Sequence, residues 1–153
     1  MKRFTAETSD PDAIVQELLH GAGVVAFSGL FSAEQIAEAR AIVMRHSDAA
    51  QKVTHFQGKA EADGTLNLQR RVWNLLAKGE VFSQMAAHPV LMTVLRRFLG
   101  TEFIMGSIAA NRILPGGPGQ EPHVDYPNWD FHAPETHPIG LHGSIPMNAQ
   151  VSV

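Results

Sequence analysis

His123 and Asp125 place an imidazole and a carboxylate two residues apart. On an extended backbone, residues i and i+2 project from the same face, with Cα atoms roughly 6.5–7 Å apart. Their side-chain tips can then converge on one cation. Imidazole with carboxylate suits a borderline ion such as Fe(II), and two ligands from one strand leave room for a third from elsewhere. These would be two parts of a 2-His-1-carboxylate facial triad, which keeps coordination positions open for cosubstrate and oxygen. The tripeptide by itself is equally what a surface His–Asp hydrogen bond looks like. The chain holds eight histidines and no cysteine, so thiolate metal sites, disulfides and a cysteine nucleophile are excluded.

The elements that must position this pair are helical over the first two-thirds of the chain. Asp10-Pro11 has the form of an N-cap followed by proline at the first helical position. Ile14, Val15, Leu18 and Leu19 then recur at helical spacing, and Gly21 or Gly23 ends the run. Val24 to Phe27 predicts a short strand. Ser32 and Gln35 have capping-box spacing, and Ile36, Ala39, Ile42 and Val43 carry an amphipathic helix to about His46. Gln51 to Asn67 is polar and reads as a loop or lid. A helical region covers about Val81 to Ala87. Pro89 opens another, with Leu91, Val94, Leu95 and Phe98 as its buried stripe and Gly100 as its stop.

Past Gly100 the pattern changes. Thr101 to Leu114 has no helical stripe and predicts a strand or two. Pro115 to Gly119 is a turn cluster. Glu121 to Tyr126 reads as extended, and Asn128 to Pro146 as a long ordered loop. Asn148 to Val153 alternates polar and apolar residues, which predicts a half-buried strand. An alternating strand with no turn or cap after it leads to the expectation of a chain cut mid-sheet, with that strand open to pairing with another chain.

Composition narrows the function classes. The 153 residues fit one domain, and 44% hydrophobic with 18% charged residues supports a packed core. A formal net charge of −3 lacks the basic footprint of a nucleic-acid binder. No apolar run approaches the ~18–20 residues that span a bilayer. The first ten residues show no secretory signal. The expectation is a soluble, cytoplasmic chain.

Taken in order, the pieces resemble the phytanoyl-CoA dioxygenase-like family of Fe(II)/2-oxoglutarate-dependent oxygenases. They are the strand-then-helix opening (Gly23 to Met44), the helix from His88-Pro89-x-Leu91 to Leu99-Gly100, and the strand Phe103 to Leu114. The Pro-Gly turn and Gln120-x-x-His123-x-Asp125 complete the series. The aromatic stretch Tyr126 to Phe131 is also similar to ectoine-hydroxylase-type members. The resemblance implies an α+β fold: a double-stranded β-helix, related to the jelly roll, with N-terminal helices packed outside. It implies Fe(II) held by His123, Asp125 and a distal histidine. The cosubstrate would be 2-oxoglutarate, its far carboxylate paired with an arginine on a late strand, and O2 the oxidant. Asn111 and Gln120 become candidates for cosubstrate contacts, Asn111 alternatively for a polar residue on a solvent face, and Gln120 for orienting His123 or for the turn alone. Tyr126 and Trp129 become candidates for the substrate pocket, Trp129 alternatively for packing alone. Asp125 favours hydroxylation, because related halogenases lack that carboxylate.

The distal histidine and arginine of the family lie well downstream of the metal motif. Here only His132, His137 and His142 follow Asp125, all in the Pro/Gly-rich stretch, and they are expected to be loop histidines rather than the third ligand. Arg70-Arg71 reads either as a solvated charge pair or as a site for an anionic group. Arg112 should point away from Asn111 and is a weak substitute for the late arginine. His20, His46, His55 and His88 are expected to be structural or exposed. Two other classes remain open: a cupin-like metal- or ligand-binding protein without 2-oxoglutarate chemistry, and a non-catalytic fragment completed by another chain.

Overall fold

The computed structural model describes residues 1–7, 9–49, 68–117 and 148–153. Along the chain run β1 (Lys2–Thr5), α1 (Pro11–His20), β2 (Val25–Ser28), α2 (Ala33–Ala49) and β3 (Gln69–Val72). A 3-10 turn (Leu75–Ala77), α3 (Glu80–Ala86), α4 (Pro89–Leu99) and β4 (Ala110–Ile113) follow. The chain divides into two compact units. One contains the described parts of Met1–Leu30, Pro89–Phe103 and Pro122–Val153; the other contains those of Phe31–His88 and Ile104–Glu121.

In the first unit, Asp10 caps α1 by accepting a hydrogen bond from the Asp12 amide at 3.1 Å, and Pro11 occupies the first turn. Capping fixes the start of α1, and its periodicity then turns Ile14 and Val15 inward. β1 and β2 pair in parallel, Lys2 beside Val25 and Phe4 beside Phe27. Phe4, Val25 and Phe27 thereby share a face and pack, with Leu18 and Phe98, around buried Ile14, Val15 and Val94. α4 supplies Val94 and ends at Gly100, whose φ of +92° is a conformation that glycine adopts without a Cβ penalty. Ion pairs Lys2–Glu17 and Asp12–Arg97, both 2.6 Å, lie at the rim.

In the second unit, α2 begins with a reciprocal capping box. The Ser32 amide donates to Gln35 Oε1 at 3.1 Å, and the Gln35 amide to Ser32 Oγ at 3.2 Å. Ala39 and Ile42 from α2, Val72 from β3, Leu75 from the 3-10 turn, and Val81, Phe82 and Met85 from α3 form one buried cluster. β3 and β4 are antiparallel, with Gln69, Arg70, Arg71 and Val72 opposite Ile113, Arg112, Asn111 and Ala110. Beyond the ladder, the Leu114 amide donates to the Leu68 carbonyl at 2.8 Å. The chain then turns through Leu114-Pro115-Gly116-Gly117, closed by a 2.9 Å bond from the Gly117 amide to the Leu114 carbonyl. Proline at the second position and Gly116 at φ +83° make this a type II turn.

The helices and the turn sit where periodicity and capping predict them. The sheets depart from expectation. The described residues form two separate two-stranded sheets and not a complete double-stranded β-helix. Of Thr101 to Leu114, only Ala110–Ile113 is strand. Asn148 to Val153 is not a strand; Val151 and Val153 are 50% and 79% exposed. Alternation marks a segment that suits a sheet, but a strand exists only where a regular ladder of backbone hydrogen bonds forms along it. Conversely, β1 holds one large apolar residue and is a strand because β2 pairs with it.

Candidate functional site

The proposed metal ligands His123 and Asp125 lie outside the described residues, as do Gln120, Tyr126, Trp129, His55, His132, His137 and His142. The structure does describe the sheet that leads to them. β4 runs into the type II turn, and Gly117 stands six positions before His123 in the sequence.

The two faces of the β3–β4 sheet carry different chemistry. Gln69, Arg71, Asn111 and Ile113 share one face by the two-residue period, and Trp73 continues it past the end of β3. Asn111 is exposed on this face, directly opposite Arg71. Because the Leu114 amide bonds the Leu68 carbonyl opposite it, alternation makes Arg71 and Asn111 a non-hydrogen-bonded pair, the kind whose Cα atoms approach to about 4.5 Å. The Arg71 guanidinium carbon lies 4.5 Å from the centre of the Trp73 ring, a cation–π distance. A held guanidinium beside a carboxamide is a donor surface suited to a carboxylate.

Arg70, Val72, Ala110 and Arg112 share the other face. Val72 and Ala110 join the apolar cluster. Arg70 and Arg112 reach the end of α2, where both donate through Nη1 to Asp48 Oδ1, at 3.1 and 2.7 Å. Arg112 Nη1 also donates to Ser47 Oγ at 3.2 Å. Ser47 is fully buried and gives its own proton to the Met44 carbonyl at 3.0 Å, leaving a lone pair for Arg112.

This geometry settles several sequence expectations. Arg112 does point away from Asn111, but its guanidinium is engaged by Asp48 and Ser47 and is no stand-in for the late-strand arginine. Arg70-Arg71 is neither a solvated pair nor a single anion site, since strand alternation sends the two residues to opposite faces. His88 precedes α4 and packs edge-on against Phe31, with ring centres 5.7 Å apart, which is a structural role. Two residues that the sequence reading passed over matter to this sheet. Trp73 was signalled by its two-residue spacing from Arg71. Asp48 carried no local signal, because its partners lie 22 and 64 positions away.

The described residues contain no group of three or more histidines, cysteines and carboxylates that could hold a metal. None of the described helices is long and apolar enough to cross a membrane. Among the described residues, Glu17 and Glu34 are held below the usual carboxylate range. Glu17 is lowered by its hydrogen bond from Lys2 and then by the Ala22 amide, and Glu34 by its own backbone amide and Ser32.

Among models of known families, that described as phytanoyl-CoA dioxygenase (PhyH) matches residues 19–147 of the chain, a span that includes both strands of this sheet and the His123–Asp125 motif. The match names the family and no subgroup within it. Neither the curated proteins nor the solved structures yield a match.

Proposed function

The chain belongs to the phytanoyl-CoA dioxygenase family of iron- and 2-oxoglutarate-dependent oxygenases, and from that membership we propose that it takes part in hydroxylating a C–H bond of a small molecule. The observation that carries the proposal is the coincidence of the family match with an His-x-Asp motif inside it. A neutral imidazole and a hard carboxylate are a donor set that fits Fe(II), and His123 and Asp125 are the residues that would hold it. Bound iron supplies the redox chemistry that couples decarboxylation of 2-oxoglutarate by O2 to oxidation of the substrate.

The rest of the proposal concerns the chain's own residues. Asn111 donates to 2-oxoglutarate from β4, on the face it shares with Arg71. Gln120 either touches the cosubstrate or orients His123 by accepting its second ring proton. Tyr126 and Trp129 wall the substrate and keep water from the reacting carbon. Asp125 completes the carboxylate position that favours hydroxylation over halogenation.

The test is binding followed by turnover. Calorimetry under argon measures Fe(II) uptake, and succinate release is measured once air and 2-oxoglutarate are admitted. His123→Ala and Asp125→Ala should each abolish iron-dependent succinate formation with an unchanged circular dichroism spectrum. Full activity in either variant removes these residues from the metal site. His132→Ala, His137→Ala and His142→Ala should leave iron uptake unaltered.

A further inference from the structure

Arg70 and Arg112 face each other directly across the β3–β4 ladder. Like charges in that position repel and weaken a sheet. This ladder is short, four residue pairs in register, so one repulsive pair weighs heavily in it. Both guanidinium groups are half-buried, with side chains 23% and 27% exposed, and water screens them only in part. A single oxygen resolves the conflict. Asp48 Oδ1 accepts from Arg70 and from Arg112, placing a negative charge between them. The C-terminal end of α2 adds its carbonyl dipoles, which also favour cations. The buried Ser47 hydroxyl fixes Arg112 from a second direction.

We infer that Asp48 is a positioning residue for the cosubstrate. By clamping Arg70 and Arg112 on one face of the sheet, it holds Asn111 in register with Arg71 on the other. It touches no reacting group. It acts through β4, whose pairing with β3 determines where the Asn111 carboxamide stands. This inference rests on the oxygenase reading above, because only that reading gives Asn111 a ligand.

The experiment compares Asp48→Asn, Asp48→Glu and the double variant Asp48→Asn/Arg70→Gln in the full chain. Thermal unfolding is followed together with calorimetric binding of 2-oxoglutarate to the Co(II)-loaded protein. Asp48→Asn removes the charge but keeps the shape; it should lower Tm and weaken 2-oxoglutarate binding roughly five-fold, with Co(II) uptake unchanged. Asp48→Glu should recover most of that affinity. Arg70→Gln, added to Asp48→Asn, should also recover it, because removing either member of a repelling pair ends the repulsion. That rescue separates a charge clamp from a merely structural contact, for which a second lost interaction only adds damage. Unchanged 2-oxoglutarate affinity in Asp48→Asn overturns the inference, as does a double variant weaker than the single one. A wild-type chain that loads Co(II) but binds no 2-oxoglutarate overturns the oxygenase reading and this inference together. In that case the Tm cycle alone still reports whether the arginines repel.

Discussion

The two units bury their apolar residues and deploy their charges differently. The first closes around three buried side chains, Ile14, Val15 and Val94, ringed by half-buried aromatic and aliphatic residues. Its ion pairs lie at the rim, where Lys2 and Asp12 are mostly exposed, and such pairs contribute about 0–1 kcal/mol each. The second encloses seven side chains drawn from two helices, a strand and a 3-10 turn. Its sheet carries charged groups on both faces, with a guanidinium over an indole on one side and two guanidinium groups sharing one carboxylate on the other, beside Val72 and Ala110. Half-buried cations cost solvation that a hydrophobic surface would not. The described core of the first unit is apolar, with its ion pairs outside it. The second spends part of its packing on holding polar groups in fixed places, and one of them, Arg112, stands on β4, the strand that precedes the proposed His123–Asp125 pair in the sequence.

The largest test of this contrast is in the cores. Phe82→Ala empties a site in the larger cluster and should cost about 3–5 kcal/mol, whereas Ile14→Val removes one methyl from the smaller and should cost about 0.5–1.5 kcal/mol. Urea unfolding of the full chain measures both. We propose that the chain is one domain, so both variants should shift a single transition. Two separate transitions, each moved by one variant, would break that proposal and sharpen the division between units.

The same substitution can be compared in both units at glycine. A Cβ on Gly117 would lie 2.6 Å from Ile113 Cγ2 and 3.0 Å from the Leu114 carbonyl oxygen. Gly117→Ala should therefore cost about 1–3 kcal/mol through overpacking. It should also weaken Fe(II) binding, because the turn carries the chain toward His123. A Cβ on Gly100 would meet open space, and only its φ of +92° is unfavourable. Gly100→Ala should cost about 1–2 kcal/mol and leave Fe(II) binding alone. Equal loss of iron in the two variants would contradict a specific link between the Gly117 turn and the proposed metal ligands.

The smallest effect is a pH dependence. The folded-state pKa of Glu17 lies below the ordinary carboxylate value, chiefly because of the hydrogen bond from Lys2. The stability this contributes is present above that value and is lost as pH falls through the lower, folded-state pKa. Glu34, in the second unit, has the same sign, chiefly from its own backbone amide. Acidification should thus destabilise the chain through both units, and Glu17→Gln should shallow the acid limb of Tm against pH. An unchanged acid limb in Glu17→Gln would remove the Lys2–Glu17 pair as a contributor.

Much of this protein was legible in the order of its residues. Asp10-Pro11, the Ser32–Gln35 box, the stripe from Leu91 to Phe98 and the Pro115-Gly116 turn all act within a few positions of themselves, so local rules locate them. The family, too, is readable, because it rests on motifs in a fixed order and ends in His123-x-Asp125. Pairing across the chain is a different matter. Lys2–Thr5 becomes a strand because Val25–Ser28 lies beside it, and Asn148 to Val153 does not become one despite better alternation. Strand alternation alone could separate Arg70 from Arg71. It could not find Asp48, since a carboxylate on a helix end meets a strand 64 positions later only after both have packed on the same core. Helix caps and turns are decided by short-range sterics and hydrogen bonds that the sequence specifies directly. Which strands pair, and which charges face each other, is decided by the competition among distant segments for the same backbone partners and the same buried surface, and only the tertiary structure records its outcome.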